Sequence, residues 1–185
     1  MFHPHLLHTD NTVIVVVDMQ EPFLRVIHDR ERVVKNVVKL VQGAAVLAVP
    51  IVSTVQNLKS LGDVVPEIKQ LLPIKPPPFE KMRFSCYADV AIASALDRIG
   101  RKQVILCGVE SHICISLTAL GLIHAGFQVH ICEDAVSSRT EENWKLGIKK
   151  VQQAGGLINC TESVLFEMLG KAGTAEFRAI LQIVK

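Results

Sequence analysis

Three residues of the 185-residue sequence, Asp18, Lys81 and Cys114, could together carry out nucleophilic catalysis. Asp18 follows the apolar run 13–17, Lys81 follows a proline-rich segment, and Cys114 stands six residues after Gly108. A thiol at a helix N-terminus and beside a lysine is expected to have a lowered pKa, because the helix dipole and the cation favour the thiolate. A nearby carboxylate could take the thiol proton and return it to a leaving amine.

Each of these residues also has a purely structural explanation. An aspartate after a strand often serves only to cap a loop. A lone cysteine is more often a small buried hydrophobic residue than a nucleophile, and a lone lysine is usually exposed. Only their joint position at one edge of a sheet favours the catalytic interpretation over the structural one.

The elements that would position these residues alternate between short β-branched runs and longer amphipathic segments. This alternation predicts parallel strands with right-handed crossovers, and therefore an α/β fold organised as a three-layer αβα sandwich within one domain, 1–185. The strands are predicted at 12–17, 51–55, 104–107, 128–132 and 157–160, with Gly108 ending the third. The helices are predicted at 30–47, 66–71, 88–99, 114–124, 140–154, 163–169 and 174–184, with 58–78 otherwise a loop.

Several stretches of the sequence resemble the signatures of the isochorismatase-like hydrolase superfamily. They are Val-Val-Asp-Met-Gln at 16–20, Phe-Glu-Lys at 79–81 and Gly-Val-Glu-Ser-His-Ile-Cys at 108–114. The similarity continues at 118–119, 134–139 and 161–163, in the family's order, and so covers nearly the whole chain. A loop at 56–62 is similar to that of the isochorismatase-domain-containing proteins, whose natural substrates are poorly defined.

The resemblance implies a catalytic triad formed here by Asp18, Lys81 and Cys114. It also implies a cis peptide between Val109 and Glu110, with an oxyanion hole made by the backbone N–H groups of Glu110 and Cys114. The implied fold is Rossmann-like with a six-stranded parallel sheet. Because only five strands can be recognised in the sequence, the sixth rests on the resemblance alone.

Residues that flank the triad in sequence are expected to line a substrate pocket. They are Gln20, Phe23, Gln56, Phe84 and Tyr87, although Phe84 and Tyr87 could equally be packing residues. His112, two residues before Cys114, is expected to orient the turn rather than act as a base. Trp144 is expected in the core or at an interface.

The chain has five cysteines without a CxxC pair, which argues against a disulfide framework and a zinc ribbon and fits a reducing compartment. Cys107, Cys132 and Cys160 are predicted to be inert core thiols. Cys86, which is close in sequence to Lys81, is a candidate for a second redox-sensitive thiol.

No metal and no cofactor are expected. The nicotinamidases of this superfamily bind a metal through Asp-x-His after the second strand, whereas this chain has no histidine between His28 and His112. The isochorismatases of the superfamily lack the nucleophilic cysteine, so Cys114 argues against isochorismate as the substrate. It favours amide or related acyl chemistry on a small molecule.

Bulk properties exclude other classes of function. The formal net charge of +2 is too small for a nucleic-acid-binding face, and no apolar run approaches the ~18 residues that span a bilayer. The absence of a recognisable targeting segment predicts a cytoplasmic protein. A mean hydropathy of +0.33 predicts surface buried in a homo-oligomer, a dimer or larger.

Two alternatives to amide hydrolysis stay open from the sequence. The same triad could act on a different ester-like or ether-like substrate. The chain could also be a catalytically silent scaffold or partner-binding protein that keeps the fold, although such a protein has no need to keep Asp18, Lys81 and Cys114 together.

Overall fold

The computed structural model describes residues 3–185, which form a six-stranded, all-parallel sheet flanked by helices. The strand order is β3-β2-β1-β4-β5-β6, so that β1 lies near the centre of the sheet. The α/β sandwich expected from the alternation of elements is confirmed, as is the sixth strand. The strands are β1 (Thr12–Val17), β2 (Ile51–Gln56), β3 (Phe79–Lys81), β4 (Gln103–Val109), β5 (Gln128–Ser137) and β6 (Leu157–Asn159).

Nine α-helices and one π-helix occur among the described residues. The α-helices are α1 (Glu21–Leu24), α2 (Arg30–Val46), α3 (Leu58–Leu61), α4 (Pro66–Lys69), α5 (Val90–Ile99), α6 (Ser116–His124), α7 (Glu141–Gln153), α8 (Thr161–Leu169) and α9 (Ala175–Val184). The π-helix, Ser111–Ile115, leads directly into α6. Buried residues of α2, α8 and α9 pack on one face of the sheet, and those of α5, α6 and α7 pack on the other.

The first strand shows how the sequence produces this layering. Successive side chains of a strand point to opposite faces, and β1 is enclosed on both. Val13, Val15 and Val17 belong to the apolar cluster with α5, α6 and α7. Ile14 and Val16 belong to the cluster with α2, α8 and α9. Every residue of β1 is buried, which fixes the point where the chain emerges at Asp18.

The prediction that Gly108 ends the strand at 104–107 is wrong. Strand β4 continues to Val109, and Gly108 pairs with Val17 on one side and Val136 on the other. Its φ of 109° and its proximity to β1 explain the glycine: an added Cβ would lie 2.1 Å from the Val17 carbonyl oxygen. The glycine therefore permits close strand contact instead of breaking the strand.

Other differences arise where short elements carry little sequence signal. Strand β5 extends beyond the predicted end at residue 132 to Ser137, because Val136 and Ser137 still pair with β4. The 58–78 connection holds two short helices instead of one. The helix predicted from Cys114 begins instead as the π-helix at Ser111. The remaining helix ends differ from the predictions by less than one turn.

Within residues 3–185, no helix has both the length and the apolar character needed to cross a bilayer. The cysteines are all free thiols, of which Cys107 and Cys132 are fully enclosed as predicted. Cys160 is exposed, so its predicted place in the core is wrong. It occupies the N-cap position of α8, where its sulfur accepts a hydrogen bond from the Ser163 N–H.

The enclosed Cys107 thiol predicts a loss of stability at alkaline pH. Burial, with a smaller contribution from Asp134, holds the pKa of Cys107 far above its ordinary 9.0. A group whose pKa is raised by folding contributes stability that is complete below the unfolded pKa and declines as the pH rises toward the folded pKa. Between pH 8 and pH 10, this thiol alone is expected to remove about 1.4 kcal/mol from the unfolding free energy.

Urea unfolding at both pH values checks this expectation. The Cys107→Ala variant should lose about 1.4 kcal/mol less than the wild type over that interval. Val104→Ala, on the same strand, creates a buried cavity without changing a titratable group and should show the wild-type pH dependence. Equal pH dependence in Cys107→Ala and wild type would contradict the expectation.

Candidate active site

The carboxyl-terminal ends of three strands, β1, β3 and β4, bring Asp18, Lys81 and Cys114 together. Asp18 follows β1, Lys81 is the last residue of β3, and Cys114 lies in the π-helix after β4. This edge is where parallel α/β sheets place ligand chemistry. The Lys81 Nζ lies 2.6 Å from the Asp18 Oδ2 and 3.7 Å from the Cys114 Sγ. The side chains of Asp18 and Lys81 are completely enclosed.

The Lys81 ammonium group has three polar acceptors in this enclosed site. It donates to the Asp18 Oδ2, to the Cys114 Sγ and, over 2.7 Å, to the Gln56 Oε1. Burial is the largest single effect and acts to lower the pKa of Lys81, but Asp18, Cys86 and Cys114 together outweigh it, and the Lys81 pKa is raised. The other carboxylate oxygen, Asp18 Oδ1, accepts a hydrogen bond from the Thr54 hydroxyl over 2.7 Å. The site therefore contains a fixed cation paired with a fixed carboxylate.

The sequence-based expectation of a lowered Cys114 pKa is wrong for the protein without substrate. Burial raises the pKa of the Cys114 thiol to about 12, and the nearby Asp18 carboxylate raises it further, although Lys81 acts in the opposite direction. Burial is the main reason, because it disfavours the charged thiolate, and the cation that could offset this effect, Lys81, is already paired with Asp18. The resting thiol is consequently protonated at neutral pH.

Gln56 and Gln20 have their polar side-chain atoms committed to the protein. The Gln56 Oε1 accepts from Lys81, and its Nε2 donates to the Met82 carbonyl over 3.0 Å. The Gln20 Oε1 accepts from the Gln56 N–H, and its Nε2 donates to the carbonyls of Gln56 and Gly62. Gln56 thus contacts Lys81 directly, and Gln20 holds the backbone of Gln56. The substrate contact expected for both residues stays a prediction.

The other residues expected to line a pocket have varied surroundings. Phe23 is half-buried and packs against the apolar cluster on the α2 side of the sheet. Tyr87 packs edge-on against Phe127, with ring centroids 5.7 Å apart. Phe84 is 57% exposed. Their contact with a substrate stays a prediction, as does redox sensitivity of Cys86, a fully buried thiol whose sulfur lies 3.9 Å from the Thr54 hydroxyl.

The backbone that carries Cys114 is held at Glu110. The Val109–Glu110 peptide is cis, as the family resemblance implies. The Glu110 carbonyl accepts hydrogen bonds from the N–H groups of Ile113 and Ile115, which are the residues on either side of Cys114. The Glu110 carboxylate accepts from both the backbone N–H and the Nε of Arg139, at 3.0 and 3.1 Å.

A second hydrogen-bond network fixes the opposite side of the π-helix. The Ser138 hydroxyl lies 2.9 Å from the His112 Nδ1 and 2.7 Å from the Ser111 hydroxyl. The Ser111 hydroxyl also donates to the Trp144 carbonyl on α7. These contacts agree with the expectation that His112 orients the turn. Trp144 is partly buried and packs on the α5–α7 side of the core.

Sequence reasoning did not identify Thr54 and Arg139, which contact the Asp18 and Glu110 carboxylates. The signal for Thr54 was present: residues two apart in a strand share a face, so Thr54 and Gln56 at the end of β2 must lie on the same side. Arg139 lies in the 134–139 stretch that resembles the family, but no role could be inferred for it from the sequence, because its place beside Glu110 depends on the extension of β5 toward Ser137.

Comparison with known proteins gives consistent matches over the whole fold. The family model described as "Isochorismatase domain" matches residues 12–163. The isochorismatase domain-containing protein 2 of Danio rerio is 36% identical over 179 residues, covering 96% of this chain and 89% of that protein. The secreted isochorismatase effector Isc1 of Phytophthora sojae is 35% identical, covering 95% of this chain and 85% of that protein.

Solved structures agree with these sequence matches. The MAR1 ribonuclease of Caenorhabditis elegans is 28% identical and superposes with a TM-score of 0.91, covering 97% of this chain and 92% of that one. An Escherichia coli protein described as an octameric hydrolase of unknown specificity is 22% identical, also with a TM-score of 0.91, over 99% and 92% of the two chains. The similarity to this E. coli protein is one of fold alone.

Proposed function

The chain belongs to the isochorismatase family, and from this premise we propose that it is a metal-independent cysteine hydrolase of small amides or related acyl compounds. Membership of the family supports a hydrolase-type function. The observation that carries the finer proposal is the enclosed contact of the Lys81 ammonium group with both the Asp18 carboxylate and the Cys114 sulfur. This arrangement places a nucleophile, a proton acceptor and a fixed cation within one hydrogen-bonded cluster.

The raised pKa of Cys114 defines the first step of the proposed mechanism. Because the resting thiol is protonated, Asp18 accepts its proton as the sulfur attacks the substrate carbonyl carbon and forms a C–S bond. The N–H groups of Glu110 and Cys114 stabilise the oxyanion of the tetrahedral intermediate. The hydrogen bonds from the N–H groups of Ile113 and Ile115 to the Glu110 carbonyl support this role, since they hold the backbone between Glu110 and Cys114 in one turn.

The intermediate then collapses and is hydrolysed. Asp18 returns the proton to the leaving amine as the C–N bond breaks, which leaves a thioester on Cys114. Water attacks the thioester with Asp18 accepting a proton, the acid product leaves, and the proton goes back to the Cys114 sulfur. Lys81 stays protonated throughout, since its raised pKa keeps the cation that offsets the developing negative charge.

The enclosure of the site supports a small substrate. Cys114 is 6% exposed and Asp18 is fully buried, so a substrate must fit a narrow approach. A polynucleotide would need an open, basic groove, whereas this chain has a formal net charge of +2. We therefore place its substrate outside the class named for the C. elegans relative. The expected homo-oligomer and the cytoplasmic location stay predictions.

A screen of small primary amides and ureides for release of ammonia tests the proposal, with Cys114→Ser as the matched blank. Turnover in the wild type should survive dialysis against a strong metal chelator and fall at least 10³-fold in Cys114→Ser, equivalent to about 4 kcal/mol in the barrier. Turnover abolished by the chelator would contradict metal independence. Equal turnover in the two proteins would remove Cys114 from the mechanism.

A further inference from the structure

The proposed mechanism does not use Gln56, yet its side chain is held in the centre of the site. Gln56 is buried at the end of β2, next to Lys81 in the register of β2 and β3. Its Oε1 accepts the third hydrogen bond of the Lys81 ammonium group. The other two acceptors of that group are Asp18 and Cys114.

These three acceptors behave differently during the proposed reaction. Asp18 loses its charge when it takes the thiol proton, and the Cys114 sulfur becomes part of a thioester. The Gln56 amide is neutral and keeps its acceptor through every step. It is the constant acceptor for a cation whose other two partners both change.

The orientation of the Gln56 amide is fixed by its surroundings. An amide side chain can be turned so that either its oxygen or its nitrogen faces a neighbour, and the partners decide which. The Nε2 donates to the Met82 carbonyl, which leaves the Oε1 toward Lys81. Gln20 bonds both the N–H and the carbonyl of Gln56, so the backbone that carries the amide is also held.

We propose that Gln56 is a positioning residue whose side-chain carbonyl holds the Lys81 ammonium group between Asp18 and Cys114. This role deepens the proposed function and rests on it, because a fixed cation matters to the reaction only if Cys114 is the nucleophile. It differs from the substrate contact expected from the position of Gln56 in the sequence, since both polar atoms of its amide already have protein partners.

Loss of the Gln56 acceptor is expected to lower the pKa of Lys81. The titratable groups that act on its ammonium are Asp18 after β1, Cys114 in the π-helix and Cys86 before α5. Gln56 adds an acceptor that favours the charged form without titrating. Removing this acceptor leaves a buried N–H of the ammonium unpaired, so the Lys81 pKa must fall.

Side-chain NMR of Lys81 measures this directly, through its ¹³Cε and ¹⁵Nζ shifts between pH 7 and pH 11 in the full chain. In the wild type, Lys81 should remain protonated beyond pH 10.5, its ordinary value. In Gln56→Met, which keeps the length but loses the acceptor, the titration should move down by at least one pH unit. Gln56→Asn, whose amide is one methylene too short, should move the Lys81 titration in the same direction. This second variant keeps the test possible if Gln56→Met does not fold.

Gln103→Met is the matched control, because Gln103 is also a buried glutamine with several hydrogen bonds. It lies at the start of β4, at the opposite end of the sheet from the triad. This variant should lose stability while Lys81 titrates as in the wild type. An unchanged Lys81 titration in Gln56→Met would overturn the proposal.

Turnover of an amide from the screen separates this proposal from the proposed function. Gln56→Met should lower kcat at least tenfold with KM nearly unchanged, whereas a rise in KM at constant kcat would indicate a substrate contact and overturn the positioning role. If Gln56→Met moves the Lys81 titration while Cys114→Ser keeps full turnover, the contact is real and the proposed function fails. If Cys114→Ser is inactive and Lys81 titrates normally in Gln56→Met, only the positioning role fails.

Discussion

Asp18→Asn is expected to change two reactions of Cys114 in opposite directions. Amide turnover should fall at least 10³-fold, because the asparagine can neither accept the thiol proton nor protonate the leaving amine. Alkylation of Cys114 by iodoacetamide at pH 8 should instead become at least tenfold faster. The Asp18 carboxylate raises the pKa of Cys114 beyond the effect of burial, so its removal favours a thiolate paired with Lys81.

The substitution is suited to this position. Asp18 has a φ of 51°, in the left-handed region that asparagine tolerates better than most residues. The amide can present its oxygen to Lys81 and its nitrogen to the Thr54 hydroxyl, which can accept as well as donate. The buried cation keeps partners because the asparagine oxygen and the Gln56 Oε1 can both accept its hydrogen bonds.

Mass spectrometry of the Cys114 peptide and a continuous amide assay measure the two rates. Asp89→Asn, at the N-cap of α5, is the matched control, and both rates should stay at the wild-type value because asparagine caps a helix as well as aspartate does. A substrate whose leaving group needs no proton, such as an activated ester, should be less affected by Asp18→Asn. A fall of alkylation together with turnover would contradict the prediction that the Asp18 carboxylate suppresses the Cys114 thiolate.

Gly147→Ala is expected to displace the backbone of Cys114, the proposed nucleophile. Gly147 lies on α7, where an added Cβ would be 2.4 Å from the Ser111 carbonyl carbon and 2.6 Å from the His112 nitrogen. Both are backbone atoms of the π-helix that carries Cys114, so a side-chain rotation cannot relieve the contact. A shift of about 1 Å at a reacting group lowers a rate on the order of 10²-fold, and overpacking removes about 1–3 kcal/mol of stability.

Gly121→Ala is a close control for this substitution. Gly121 lies on α6, which continues from the same π-helix, but an added Cβ there would meet its nearest atoms at 3.6 Å, an ordinary contact. This variant should keep wild-type turnover and gain up to about 1 kcal/mol from helix propensity. Amide turnover and thermal unfolding of the two variants are compared, and full activity in Gly147→Ala would refute the tight packing of α7 on the π-helix.

The position of the triad could be predicted because it follows from strand ends. The buried run of β1 places Asp18 directly after the carboxyl-terminal end of that strand. Parallel pairing brings the carboxyl-terminal ends of the neighbouring strands to the same edge of the sheet. Strand β3 could not be recognised from the sequence, since three residues show no periodicity. Lys81 was nevertheless singled out by its position after a proline-rich segment, and the family resemblance supplied the catalytic role expected for it.

The electrostatic state of the site depends on distances that no sequence pattern contains. The expected lowering of the Cys114 pKa assumed a free cation, whereas Lys81 is paired with Asp18 at 2.6 Å. The roles of Gln20 and Gln56 likewise depend on hydrogen bonds from their side-chain amides to the backbone carbonyls of Gln56 and Met82, which the sequence does not reveal. Gly108 was misread because a positive φ within a strand has the same sequence signal as a turn.

The most direct test of the central claim is rapid-quench mass spectrometry of the protein during turnover of an amide or activated ester. An acyl group is expected on the peptide containing Cys114, formed at a rate compatible with turnover and absent from Cys86, Cys107, Cys132 and Cys160. Loss of both the adduct and the turnover in Cys114→Ser would support Cys114 as the nucleophile. Turnover without an adduct on Cys114, or with an adduct on another residue, would contradict the cysteine mechanism.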